Sequence, residues 1–168
     1  MNKEYIQVLF EYNYWANAKI LNSAAKLRND IFIATATLSH GGLRGTLHHT
    51  YTAEYLWRMR LHERISLTSI PPETTFLDLN SLRMAWNEEE TLMRGFINSL
   101  TDEALQEIIT YKTMKGIEYT NPLWQSLVHM VNHGTQHRAE AAVLLTDHGA
   151  SPGDVDMLIF FRELNEKK

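Results

Sequence analysis

Four long stretches of this 168-residue chain bring apolar side chains round every three or four positions, a repeat that only an α-helix turns into one face. The first runs from about Asn2 to Leu27, with Ile6, Phe10, Tyr14, Ala18 and Leu21 on the repeat and Asn2 placed to cap it. The second is expected to begin between Ser39 and Leu43, after Gly41-Gly42, and to reach about Arg64. The third, about Ser81 to Leu100, carries Leu82, Ala85, Trp86, Leu92, Met93, Phe96 and Ile97 on its apolar side, and Glu88-Glu89-Glu90 reads as its solvated face. The fourth has the clearest ends: Asn121 as N-cap, Pro122 in the first helical position, and Gly149 where a left-handed residue closes the helix near His148.

The connections carry their own signals. Ser66 to Asn80, with Pro71-Pro72, is longer than the usual link between helices. In EIITYKTMKGIEYT two β-prone runs flank Lys115-Gly116, which predicts a small hairpin. The closing VDMLIFF reads as a last helical piece. Together these elements predict an all-α fold, a four-helix bundle with a long crossover, forming one domain over residues 1–168.

Composition narrows the function. A net charge of −4 with no cluster of Lys or Arg gives no reason to expect nucleic acid or an anionic membrane as partner. The absence of cysteine excludes disulfides, thiolate metal sites and a cysteine nucleophile. The amino end lacks a continuous apolar run, and no segment approaches the ~18–20 apolar residues of a membrane span, so the expected location is cytoplasmic.

The stretch VNHGTQH sets His133 and His137 four residues apart, one above the other on a helix face. Stepping through Met130, His133, His137, Ala141 and Leu144 shows that the pair interrupts an apolar stripe. An unpartnered buried polar group costs about 1–3 kcal/mol, and one metal ion satisfies both imidazoles at once. The H-E-x-x-H pattern with its general base is absent, because positions 134 and 135 are Gly and Thr. His129 cannot share an ion with His137, since eight residues of helix rise about 12 Å and metal–nitrogen bonds are about 2.0–2.1 Å. A third ligand must come from another helix, where LHH offers His48 and His49. Ala53, Leu56 and Trp57 follow His49 at helical spacing and favour it as the inward one, with His48 flanking the site or facing water.

GGLRGTLHHTYTAEYLW, VHMVNHGTQHRAEAAVLL and GASPGDVDMLIFFRE, in this order, resemble the second-helix, fourth-helix and closing segments of the DinB-like (YfiT/DinB) superfamily. The resemblance implies a four-helix bundle, often a homodimer, in which His49, His133 and His137 hold a divalent metal, and its family name records induction by DNA damage. Two positions depart from the family pattern: Ala139-Glu140 stand where Gly and Gln are common, and Glu54 where Asp is more usual. Neither removes a ligand, but both bear on the pocket.

Three neutral imidazoles leave an open coordination position, the pattern of a catalytic rather than a structural site. The expected cofactor is a divalent transition metal, zinc or nickel ahead of the others, although donor type alone does not separate zinc, nickel, cobalt and iron. The first functional expectation is a hydrolase-like enzyme with a metal-bound water or thiolate as nucleophile, acting on a small molecule. A low-molecular-weight-thiol transferase or isomerase is the alternative, and a non-catalytic, metal-stabilised stress-response dimer is the other class. No catalytic residue is assigned. Glu54 and Glu140 are candidate bases, each equally readable as a surface ion-pair partner.

Overall fold

The computed structural model describes residues 1–166. Within them the chain forms α1 (Lys3–Ala24), α2 (Asn29–Phe32), α3 (Leu43–Leu61), α4 (Leu79–Ser99), β1 (Ile108–Lys112), β2 (Glu118–Pro122), α5 (Leu123–Asp147) and α6 (Met157–Glu166). The protein is therefore mostly helical, with one small two-stranded antiparallel sheet. Asn2 caps α1 as its sequence position suggests, its side chain accepting from the Tyr5 N–H at 2.9 Å. Asp78 does the same for α4, accepting from the Ser81 N–H at 2.8 Å. Such caps are worth about 1 kcal/mol each.

The four long helices pack in a cycle: α1 and α3 each lie against both α4 and α5. Two apolar clusters fill the space between them. One gathers Ile6, Phe10, Met93, Phe96, Leu127 and Val131; the other gathers Ile20, Leu47, Leu82, Trp86, Ala141 and Leu145. Between these levels the buried side chains turn polar: Asn13 and Asn17 on α1, Glu54 and Arg58 on α3, Glu89 on α4 and Arg138 on α5. His133 and His137 belong to the same stretch of α5. α6 closes over α1, where Trp15 donates to Glu163 at 2.8 Å and Phe160 packs edge-on against Tyr12.

Several expectations are corrected. Pro122, not Asn121, is the N-cap residue of α5, and it is not the first helical residue. Asn121 and Pro122 end β2, paired with Ile109 and Ile108, and the Asn121 amide donates to Gln125 at 3.2 Å. The hairpin holds this backbone extended up to Pro122, which carries no N–H to donate, so the helix begins one residue later, its Leu123 N–H bonding the Glu107 carbonyl at 2.8 Å. Glu89 is not on a solvated face: it is 3% exposed and held by Arg58 through bonds of 2.6 and 3.0 Å. Leu92 and Ala18 are exposed, because the buried arcs run through Glu89 and Met93 on α4 and through Asn17 and Ile20 on α1. The connection after α1 also contains an unforeseen turn of helix, α2, whose Phe32 is buried in the second cluster.

Candidate metal centre

The side-by-side packing of α3 and α5 brings His49 and the His133/His137 pair together. His49 Nε2 lies 3.0 Å from His133 Nε2, and His137 Nε2 lies 3.2 Å from the same atom. Ligands 2.0–2.1 Å from one tetrahedral ion stand about 3.3–3.4 Å apart, so this spacing is close to that of nitrogens sharing an ion. Protons serve the cluster poorly. His137 Nδ1 lies 2.8 Å from a Glu140 oxygen, and a carboxylate only accepts, so the proton of neutral His137 sits on Nδ1 and Nε2 presents its lone pair. A single proton on His133 Nε2 would then have to serve two neighbouring rings. Glu140 is fixed in turn by Ser39, whose hydroxyl donates to its other oxygen at 2.8 Å. This is the outer support that commonly orients a metal-binding imidazole.

The electrostatics keep the His49 and His133 rings neutral. Burial first, then the imidazoles of His40, His133 and His137, hold the His49 pKa down at about 3. Burial, then His137, His129 and His40, holds His133 at about 4. The hydrogen bond from His137 lowers Glu140. Neutral nitrogens with inward lone pairs are the donor set that suits a borderline divalent cation such as zinc or nickel.

A further ring, His40, was not singled out by the sequence. His40, His49 and His137 each offer a ligand nitrogen, and these atoms all lie within 4.8 Å of one another, so this group could hold a metal ion. It shares two members with the set expected from spacing and has His40 in place of His133; the nitrogen–nitrogen contacts at hydrogen-bond distance are those of His133. His40 precedes α3 on irregular backbone, where no helical register marks it, and its only signals were a count of eight histidines in the chain and the adjoining Gly41-Gly42.

The other candidates fall elsewhere. His48 points to the Ser66–Asn80 connection, its Nε2 donating to the Pro71 carbonyl at 2.9 Å, beside the ring of Phe76. His129 packs against Trp57 and His133 with ring centres 5.4 and 5.8 Å away. Glu54 is not a surface partner: it is 3% exposed, accepting from Asn13 at 3.0 Å, Asn17 at 3.1 Å and the Trp86 indole at 3.3 Å. Burial raises its pKa to about 7 against the pull of those three donors. Arg138 donates to the carbonyl oxygens of the same two asparagines at 2.5 and 2.9 Å, so the amides link a buried guanidinium to a buried carboxyl group. Both Glu54 oxygens are engaged, which suits a role in holding α1, α3, α4 and α5 together.

Two cavities flank these elements. One of about 240 Å³ is lined by Trp57, Tyr111, Asn121, Gln125, Ser126 and His129, one turn of α5 from His133. The other, about 270 Å³, lies under α2 among Phe32, Leu79 and Arg83 and has no histidine in its wall.

Histidines from two packed helices, meeting nitrogen to nitrogen in a mostly helical protein, define a class of helical proteins with a candidate imidazole metal centre. The DinB family profile matches residues 1–167, and the chain belongs to that family. It is similar to the protein named Protein DinB of Bacillus subtilis (strain 168), 24% identical over 163 residues that span 90% of this chain and 92% of that protein.

Proposed function

We propose that this chain is a divalent-metal-dependent enzyme of hydrolase type, built on a four-helix bundle, with His49, His133 and His137 as the ligands. The observation that carries the reading is the meeting of three Nε2 atoms from two helices at 3.0 and 3.2 Å. A divalent cation bound there supplies Lewis acidity, lowering the pKa of a water or thiol that takes its remaining position. The protein's own groups do the rest. Glu140 holds the proton of His137 on Nδ1 and keeps Nε2 turned inward. The Arg138–Asn13/Asn17–Glu54 relay fixes the depth at which α5 sits against α1 and α3.

The 240 Å³ cleft supports an enzyme over a purely structural centre, because its His129 wall packs against His133 of the triad. Asn121, Gln125 and Ser126 give it hydrogen-bonding groups of both kinds and Trp57 and Tyr111 give it aromatic faces, which suits a small polar molecule. The cleft, at about 240 Å³, is smaller than the usual drug-sized site of roughly 300–1,000 Å³, which limits it to a small ligand. With no cysteine in the chain, a thiol taking part would have to arrive with the substrate.

The test compares untagged, metal-loaded wild type with His49→Ala and Gln125→Ala. Activated esters and amides are offered alone, and electrophiles are offered together with a low-molecular-weight thiol. Turnover of the first group that is lost in His49→Ala and shows a raised KM in Gln125→Ala is the expected result. Turnover only with thiol present would replace hydrolysis by thiol transfer. No turnover in either arm, with metal tightly bound, would contradict catalysis and leave a centre that joins α3 to α5.

A further inference from the structure

We propose that His40 is a fourth nitrogen ligand, which closes the resting metal centre and gives way when substrate enters; this rests on the three-histidine reading above. Among the described residues two other rings touch the triad, and they do so differently. His129 packs on His133. His40 reaches two members at once: its ring centre lies 3.8 Å from that of His49 and 4.9 Å from that of His137. Its ligand nitrogen falls within 4.8 Å of theirs.

The backbone around His40 is built to hold it there. Gly42, at φ +149°, presses so close to the preceding strand of loop that a Cβ would stand 2.3 Å from the Ala34 carbonyl oxygen. In the first turn of α3, a Cβ on Gly45 would stand 1.8 Å from the His40 carbonyl oxygen itself. The Ala36 N–H bonds the Gly41 carbonyl at 2.7 Å, closing the loop. One residue before His40, Ser39 binds the carboxylate that orients His137. The loop is thus folded on itself at Gly42, seated against α3 at Gly45 and tied to the outer support of the triad by one hydroxyl.

The present stack is not itself a ligation geometry. An imidazole ligates in its own plane, and one ion cannot lie in the planes of two rings that are 13° from parallel with centres 3.8 Å apart. On metal loading the His40 ring therefore leaves the face of His49 and turns its nitrogen toward the ion. With its backbone seated, the ring can leave the ion by side-chain rotation alone, so an entering substrate displaces it without moving the loop. That makes His40 the residue that decides whether the fourth position is open.

Cobalt(II) alone is the probe, because its visible absorption reports coordination number. Wild type, His40→Ala, His40→Gln and His133→Ala, all untagged, are titrated with cobalt and then with azide. Wild type is expected to bind one cobalt with an intense four-coordinate spectrum that changes only at azide concentrations above those that shift the variants. Both His40 variants should keep one cobalt, bind it at least about 10-fold more weakly, the loss that even an outer partner brings, and show a band displaced from the wild-type position, as water replaces a nitrogen, that azide shifts further. The Gln variant decides the matter if Ala disturbs the helical circular dichroism. Unchanged spectrum, affinity and azide response in both variants would overturn the fourth-ligand role while leaving the triad standing. Wild-type protein that binds no cobalt, or His133→Ala that binds it as tightly as wild type, would overturn the triad reading and this proposal with it.

Discussion

At the scale of single residues, Gly134 shows how closely the buried polar layer is fitted. A Cβ there would lie 2.8 Å from Arg138 Nη1 and 2.9 Å from Asn13 Oδ1. In an open helix, alanine in place of glycine gains about 1 kcal/mol. Here the added methyl pushes on a guanidinium whose partners are fixed, so Gly134→Ala should instead destabilise by about 1–3 kcal/mol, read from denaturant midpoints. Glu140 is an orienting group, and Glu140→Ala should leave the fold intact while weakening metal binding about 10–100-fold, read by competition with a chelating dye. His133 and His137 were legible because two polar rings four apart interrupt an apolar stripe, and the residues following His49 marked it over His48. Glu54 was not legible: a glutamate among Thr, Ala and Tyr reads as surface, and its partners lie 41 and 37 residues away on α1 and 32 residues away on α4. Only packing brings that anion to its donors.

Among the elements, α3 and α4 are joined by an ion pair that local sequence hides. In Glu88-Glu89-Glu90 the middle carboxylate turns inward to Arg58, the last lies 2.8 Å from Arg94, and the first is exposed. Burial raises the Glu89 pKa while Arg58 opposes the rise. Removing one partner of such a pair leaves a charge without its counter-ion, so Glu89→Gln should cost about 3 kcal/mol, near the low end for a buried pair, since Arg58 keeps Glu63 at 2.9 Å. Thermal unfolding of the variant measures it. Three identical neighbours look alike in sequence, and only the rotation of α4 against α3 separates them. The long helices and the hairpin were legible because each carries its period over many residues. The start of α5 was misread because Asn-Pro satisfies the rules for a helix start, while the strand pairing at Ile108 and Ile109 claims the same two residues.

Across the whole molecule, the polar layer sets the response to acid. In the metal-free protein His49 and His133 titrate at about 3 and about 4, below the ordinary 6.5. As pH falls below 6.5 the unfolded chain takes up two protons that the folded chain refuses, and stability declines. Glu54 acts in the opposite sense: its folded pKa of about 7 exceeds the ordinary 4.5, so acid favours the folded form between those values. Between pH 6.5 and 4.5 the two histidines outweigh the one carboxylate, and stability should fall with acid. His133→Ala should flatten that decline in urea midpoints taken across the range. No helix among the described residues is long and apolar enough to cross a membrane. The most direct test of the metal centre is X-ray absorption at the zinc edge on untagged wild type and His133→Ala, each loaded with one equivalent of zinc. The expected result is an imidazole-nitrogen shell at about 2.0–2.1 Å in wild type that loses scattering in the variant, together with affinity. An oxygen-only shell in wild type, or identical spectra for the two proteins, would contradict it.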